Sequence, residues 1–151
     1  MPQNPPDGYS RITPYLLYED GATAIEFLTR AFGFRERMRM PNEQGGVAHA
    51  ELEFEGEVLM LGTPGGDFKS PKTRGVDSPA FVHLYVDDVD AHYASAKEAG
   101  AEITREPEDQ FYGDRTYGAK DAEGLSWYFA QHVRDVSPEE MASPTSETPG
   151  E

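Results

Sequence analysis

The sequence predicts an α+β fold in which two paired βαβββ modules, each with a curved mixed sheet, form a concave cleft. The main observation is an internal repeat. A strand-like segment, an acidic pair and an amphipathic helix occur twice, and the pairs, at 19–20 and 87–88, lie 68 residues apart. A second observation is the Pro- and Gly-rich stretch 63–80 between the copies. The length, 151 residues, suits one domain or two half-size modules that share a core.

The first module opens with a predicted strand over 12–18, followed by a turn at the acidic pair. A helix is predicted over 22–32 because apolar residues recur at i, i+3 and i+7 from Ile25, and Gly33 is a suitable stop. Alternating or apolar segments then predict three more strands, over 34–40, 47–54 and 57–62.

The second module repeats this order. A strand is predicted over 81–86 and a helix over 90–99, with Gly100 as its stop. Three further strands are predicted over 102–105, 115–120 and 125–131.

These elements define one domain over 11–135, with module one at 11–62, a linker at 63–80 and module two at 81–135. The two ends of the chain are rich in Pro, Ser and Glu and too polar to support a core. We therefore expect a disordered N-terminal arm over 1–10 and a flexible acidic tail over 136–151.

Composition excludes several classes of protein. The chain has no cysteine, so disulfides, thiolate metal sites and cysteine nucleophiles are ruled out. It contains no apolar run long enough to span a membrane and no visible secretory signal, so we expect a cytoplasmic protein. With 28 acidic and 13 basic residues the net charge is −15, which argues against nucleic acid as a partner and favours cations.

Strand alternation predicts which side chains face the cleft. Over 47–54 the apolar side chains, from Ala48 to Phe54, are expected under the helix, so Val47 and the polar residues after it face the cleft. The same reasoning on the other strands gives a predicted ligand-binding set of Tyr15, His49, Met60, Phe81, His83, Tyr85, Phe111, Tyr112, Arg115 and Tyr128. His92 and His132 are assigned no role, as a helix-surface and a strand-end residue.

Several short segments carry a resemblance to a known family. They are 24–27 (AIEF), 31–33 (AFG), 49–51 (HAE), 86–90 (VDDVD), 111–115 (FYGDR), 121–124 (DAEG) and 135–141 (DVSPEEM). In this order and spacing they resemble the vicinal oxygen chelate superfamily, which includes glyoxalase I, bleomycin-resistance proteins and extradiol dioxygenases. Within it, the chain is most similar to the PhnB-like, glyoxalase-related subgroup. The resemblance implies the glyoxalase/bleomycin-resistance fold.

The resemblance also implies where a metal would be held. Members that use a metal place ligands on the first and last strands of each module, at positions that correspond here to Thr13, Met60, Phe81 and Tyr128. A divalent ion prefers imidazole or carboxylate, so we expect no metal and no other cofactor. A displaced site built from His49, Glu51 and His83 stays open as an alternative.

A second candidate constellation is the FYGDR segment. Arg115 offers a planar fork for a carboxylate or phenolate, and Phe111 and Tyr112 are suited to stack on a planar ligand. The alternative is a surface turn whose two rings pack locally.

Our leading hypothesis is a metal-independent protein that binds a hydrophobic or aromatic, cationic compound, as resistance-type members sequester drugs. The alternative is a glyoxalase-related lyase, isomerase or dioxygenase in which His49, Glu51 and His83 are the candidate catalytic residues. A third reading is a protein-interaction module. The resemblance and the open sheet edges also predict a homodimer.

Overall fold

The computed structural model describes residues 1–142, and their elements follow the predicted order. The first module contains β1 (Tyr15–Leu17), α1 (Gly21–Phe32), β2 (Arg35–Pro41), β3 (Val47–Phe54) and β4 (Glu57–Gly62). The linker contains the short helix α2 (Pro71–Arg74). The second module contains β5 (Phe81–Tyr85), α3 (Val89–Glu98), β6 (Glu102–Asp109), β7 (Asp114–Lys120) and β8 (Ser126–His132). A last turn of helix, α4 (Pro138–Met141), follows, and the part of the predicted tail over 143–151 lies outside the described residues.

The acidic pair in each module starts a helix. The Asp20 side chain accepts a hydrogen bond from the Thr23 N–H at the start of α1, and Asp88 does the same for Ala91 at the start of α3. These caps satisfy backbone donors that a helix leaves unpaired at its first turn. The repeat therefore reflects a repeated local structure.

The strands form two four-stranded mixed sheets, in the orders β1-β4-β3-β2 and β5-β8-β7-β6. In each sheet the first strand runs parallel to the last strand of its module, and the other pairs are antiparallel. The parallel register places Tyr15 beside Met60 and His83 beside Tyr128. This confirms the predicted α+β fold of two βαβββ modules.

Both long helices lie between the two sheets. Helices α1 and α3 pack against each other, and residues of both modules form one hydrophobic core. Phe32, from α1, lies 5.2 Å from the ring of Trp127 and 4.8 Å from that of Phe129, both on β8. The helix-covered faces of the sheets are therefore turned toward each other, and we call the two opposite faces, which point away from the core, the outer faces.

Three side chains differ from the sequence prediction. Val47 is buried in the core and Ala48 is exposed, the reverse of the expected faces, because the pairing of β3 with β2 shifts between Met40 and Pro41 and changes the alternation. His92 is also not a helix-surface residue. Its ring is half-buried and bonds the Tyr117 hydroxyl and the Phe32 carbonyl, at 2.6 and 2.9 Å.

In the described part of the chain, residues 1–142, none of the helices combines the length and apolar character needed to cross a bilayer.

Candidate functional site

Seven of the predicted ligand-binding residues fall into two groups, one on each outer face. Tyr15, His49 and Met60 lie on the first sheet, and Phe81, His83, Tyr85 and Tyr128 lie on the second. Because the shared core separates the sheets, one chain does not bring the two groups together. The displaced metal site of His49, Glu51 and His83 is divided in the same way.

Aromatic side chains dominate the second outer face. Phe81 and Tyr85 are 48% and 57% exposed although both are large hydrophobic residues in a strand. The rings of Phe81 and Tyr128 lie 5.4 Å apart, and those of His83 and Tyr85 lie 5.1 Å apart. A cavity of about 530 Å³ adjoins this patch. It is lined by Phe81, Tyr128 and residues of the linker end, β6 and β7, among them Asp77, Ala80, Thr104 and Lys120.

The FYGDR segment divides between the two faces of the sheet. The ring of Tyr112 contacts that of Phe111 at 5.3 Å, and burial is the main cause that raises the pKa of Tyr112. Arg115 points to the helix side, where it forms ion pairs with Asp90 and Asp109 at 3.0 and 3.2 Å. This geometry gives no support to Arg115 as a ligand-binding residue.

Asp114 anchors one end of the second outer face. Its carboxylate is almost fully buried, accepts a hydrogen bond from the Tyr85 hydroxyl at 2.8 Å, and lies 2.7 Å from His132 Nδ1. His132 Nε2 lies 2.7 Å from Asp135, and the bonds to Asp135 and then to Asp114 raise the pKa of His132. The bond to Asp114 is also the main cause that raises the pKa of Tyr85.

The first outer face carries a chain of four polar side chains. Tyr15 is joined to His49 Nδ1 by a hydrogen bond of 2.8 Å, and His49 Nε2 lies 3.5 Å from Glu51. Tyr9, from the N-terminal segment, donates its hydroxyl proton to Glu51 at 2.6 Å. Its ring also lies under the Arg37 guanidinium, so the segment before β1 lies across this face.

Gly62 allows Tyr15 to reach His49. A Cβ atom at Gly62 would lie 2.9 Å from the Tyr15 hydroxyl and 3.0 Å from the Ala48 carbonyl oxygen. Both distances are shorter than ordinary contacts, so a larger residue would displace the tyrosine ring.

The residues at the four family ligand positions do not fit a metal ion. Thr13, Met60, Phe81 and Tyr128 offer neither imidazole nor carboxylate, and Tyr128 packs its ring on Phe81. Over residues 1–142, no group of three or more His, Asp or Glu side chains is arranged to hold a metal.

The polar residues at these faces that were not predicted as site residues include Tyr9, Asp114 and His132. Tyr9 lies in a segment whose composition predicts disorder, and Asp114 appeared only as part of a turn. Tyr9 is 42 residues from Glu51 in sequence, and Asp114 is 29 from Tyr85. No local pattern signals such pairs.

The family model of the Glyoxalase/Bleomycin resistance protein/Dioxygenase superfamily matches residues 11–129. An uncharacterized protein of Mycobacterium bovis is 36% identical over 140 residues, which cover 89% of this chain and 91% of that protein.

Two of the solved structures that are similar to the chain are TioX and TnmS3. TioX from Micromonospora sp. ML1 has a TM-score of 0.67 and 32% identity, and the match covers 82% of this chain and 99% of TioX. TnmS3, an antibiotic binding protein from Streptomyces sp. CB03234, has a TM-score of 0.62 and 20% identity, and the match covers 83% of this chain and all of TnmS3, 100%. At that identity TnmS3 is evidence for the fold alone.

Proposed function

Because the chain belongs to the Glyoxalase/Bleomycin resistance protein/Dioxygenase superfamily, we propose that it is a small-molecule-binding protein that works without a metal ion. Its ligand is a hydrophobic compound with an aromatic ring, and its role is to sequester that compound. The site includes the second outer face, with Phe81, His83, Tyr85, Tyr112 and Tyr128.

The exposed rings of Phe81 and Tyr85 carry this proposal. The helix-covered face of the same sheet already supplies the core, so these rings do not serve to bury the sheet. Covering them with a planar compound is favourable by roughly 25 cal/mol per Å² of apolar surface removed from water. Offset or edge-to-face contacts between aromatic rings add to this.

Binding without a metal agrees with the residues at the family ligand positions. Phe81 and Tyr128 place aromatic rings where a metal-using relative has a ligand, and Thr13 and Met60 are equally poor ligands for a hard ion. Two of the four positions, Phe81 and Tyr128, thus contribute stacking surface.

Charge favours a cationic compound. The chain carries a net charge of −15, and Glu51 lies on the first outer face. Antibiotic binding in TnmS3, a protein of the same fold, is consistent with sequestration of a drug-like molecule. The PhnB-like subgroup stays a prediction.

A homodimer would complete the site. In one chain the first outer face is covered only in part, by the segment that carries Tyr9, and the rings of Phe81 and Tyr85 stay exposed on the second. Strands β1 and β5 are edge strands of their sheets. A twofold axis would set the first outer face of one protomer against the second outer face of its partner and generate two equal sites. The residues predicted for one cleft would then meet between protomers.

The test is a thermal-shift screen of planar aromatic compounds, followed by calorimetric titration of the hits. We expect Tyr85→Ala and Tyr128→Ala each to weaken binding by about 1–3 kcal/mol, because a buried aromatic contact is lost. Tyr93→Ala, which removes a tyrosine from α3, is the matched control and should leave affinity unchanged. If the hits bind with unchanged affinity to both Tyr85→Ala and Tyr128→Ala, the proposal is refuted.

One observation favours a second candidate, an enzyme. The Tyr15–His49–Glu51 chain has the form of a general base oriented by a carboxylate, suited to removing a proton next to a carbonyl. Deuterium exchange at the α-carbons of simple hydroxyketones, followed by NMR, tests this reaction. Exchange that is abolished by His49→Ala but retained in metal-free protein would establish it, and no exchange above the buffer rate would exclude it.

A further inference from the structure

Asp114 and Tyr85 form a hydrogen bond whose direction is fixed. Asp114 is only 3% exposed, and its Oδ2 accepts from the Tyr85 hydroxyl at 2.8 Å. A carboxylate has no proton to give, so the tyrosine must donate. A buried carboxylate that loses a hydrogen-bond donor is strongly destabilised, because it is no longer solvated by water. The Tyr85 hydroxyl proton therefore stays in the bond to Asp114.

His132 occupies the other oxygen of Asp114. Its two ring nitrogens lie 2.7 Å from Asp114 Oδ1 and 2.7 Å from Asp135 Oδ1. Both partners are carboxylates, so both nitrogens must donate, and the imidazole is the charged form when both bonds are made. Asp114 is thereby kept beside a cation, and its Oδ2 remains for Tyr85.

The Tyr85 oxygen can therefore only accept from a ligand. A tyrosine hydroxyl has one proton, and here that proton points into the protein. The side chain is still 57% exposed on the outer face, beside the ring of His83. What Tyr85 offers to a bound molecule is an aromatic ring edged by a hydrogen-bond acceptor.

A tyrosine also donates a hydrogen bond to a buried carboxylate on the first outer face. Tyr9 donates to Glu51 at 2.6 Å, and this bond is the main cause that raises the pKa of Tyr9. Glu51 is also a buried carboxylate, at the other end of a chain with His49. On both faces, then, a buried carboxylate accepts a hydrogen bond from a tyrosine hydroxyl.

We infer that the Tyr85–Asp114 pair makes the site selective for aromatic ligands that carry a hydrogen-bond donor, such as a hydroxyl, an amide N–H or an ammonium group, next to the ring. Tyr85 is the residue that contacts this donor, and Asp114 is a positioning residue that acts through it. The inference rests on the proposed function and specifies its ligand class.

The experiment compares two neutral probes of nearly the same shape, 2-naphthol, which has a donor, and 2-methoxynaphthalene, which has none. Their dissociation constants are measured by titration with the full-length protein, and their ratio is the readout. The preference for 2-naphthol, expressed as this ratio, should be about three- to tenfold larger in the unaltered protein than in Tyr85→Phe. This factor corresponds to roughly one hydrogen bond. Using the ratio cancels the general hydrophobicity of each probe.

Asp114→Asn tests the positioning role. An amide can donate to the Tyr85 oxygen, which frees the tyrosine proton to meet the ligand, so the preference for 2-naphthol should fall and 2-methoxynaphthalene should gain. Tyr93→Phe is the matched control. It also deletes a tyrosine hydroxyl that donates to a carboxylate, that of Glu106, but Tyr93 lies on α3 and not at the proposed site. It should leave the ratio unchanged.

The outcomes separate the two proposals. Equal ratios in the unaltered protein and in Tyr85→Phe, with both probes bound, would overturn the donor selectivity and leave aromatic binding intact. Failure of both probes to bind at millimolar concentration would overturn aromatic binding, and the selectivity with it. If Asp114→Asn does not fold, the comparison of the unaltered protein with Tyr85→Phe still tests the donor selectivity.

Discussion

Asp121 is a buried carboxylate that joins the two modules. Its Oδ2 accepts from the Tyr18 hydroxyl at 2.6 Å and from Trp127 Nε1 at 3.0 Å. Its Oδ1 accepts from the backbone N–H groups of Glu123 and Leu125 at 3.0 and 3.1 Å. Burial raises the pKa of Asp121, and these four donors act in the opposite direction. The DAEG segment is thus a structural junction.

We predict that Asp121→Asn destabilises the protein by at least about 2 kcal/mol. Each carboxylate oxygen faces two donors, so the amide NH₂ group meets a pair of donors in either orientation, at a cost of about 1–3 kcal/mol for each unpaired group. Urea unfolding at neutral pH measures the change. Asp67→Asn, at an exposed linker position, is the control, and equal stability of the two variants would contradict the role of Asp121.

Gly113 in the FYGDR segment is required by the backbone. Its φ is +105°, and a Cβ atom there would lie 2.1 Å from the Arg134 carbonyl oxygen. Its own carbonyl accepts from the N–H groups of Val133 and Arg134. The glycine therefore lets the chain end after β8 pack against the loop that carries Tyr112.

We predict that Gly113→Ala costs at least twice as much stability as Gly65→Ala. Gly65 also has a positive φ, +72°, but nothing lies within 4 Å of its Cβ position, so it reports backbone strain alone, about 1–2 kcal/mol. The difference between the two variants in urea unfolding isolates the clash. A similar cost for both would show that the loop moves aside freely.

At the scale of elements, the linker helix α2 is held by the turn between β1 and α1. Glu19 Oε2 accepts from the Ser70 N–H at 2.8 Å and from the Thr73 hydroxyl at 2.6 Å. The bond from Thr73, followed by that from Ser70, lowers the pKa of Glu19 from 4.5 to about 2. Glu123, from the opposite module, binds the backbone N–H groups of Glu19 and Asp20.

We predict that Glu19→Gln removes part of the acid sensitivity of the protein. Because the folded-state pKa lies below the unfolded value, the contribution of Glu19 is complete above about pH 4.5 and is lost as the pH falls toward 2. The urea midpoint of the unaltered protein should therefore fall more steeply between these values than that of Glu19→Gln.

Glu26→Gln is the control for this comparison, since Glu26 makes only an exposed ion pair with Arg30. If all three proteins show the same slope of stability against pH, the docking of α2 does not depend on the Glu19 charge.

At the scale of the whole molecule, the outer faces expose large apolar side chains. Leu17 and Tyr15 on β1, and Phe81 and Tyr85 on β5, leave large apolar side chains in water at the sheet edges. A patch of this kind on a strand edge is typical of an interaction surface. The homodimer suggested above would bury it.

We predict a particle of twice the 16.7 kDa chain mass by light scattering at micromolar concentration. Leu17→Arg should shift the protein toward the monomer, because it places a charge in the proposed interface. Val76→Arg, at a linker residue that is similarly exposed, 48% against 43% for Leu17, should not. A single-chain mass for the unaltered protein would reject the dimer.

The sequence by itself determined the order of the strands and of the two long helices, α1 and α3, but not the short helices α2 and α4. Strand and helix periodicity, the turns at the two acidic pairs and the Gly33 stop are local features, and local features can be identified without knowledge of the fold. It also determined which face of β5 and β8 packs into the core. Leu84 and Trp127 are directed to the core, and Phe81 and Tyr128 are directed away from it. The one shifted alternation, at Val47, came from a strand-pairing irregularity that no single strand encodes.

Only the tertiary structure decided how the faces are used. Each sheet has one face covered by its helix and one aromatic or polar face, and periodicity does not say which pair of faces meets within a chain. The packing of α1 on α3, and of Phe32 on Phe129, decided this by burying the helix sides together. The contacts that define the site, Tyr9 to Glu51 and Tyr85 to Asp114, join residues far apart in sequence, and such pairs exist only once the backbone brings them to hydrogen-bonding distance.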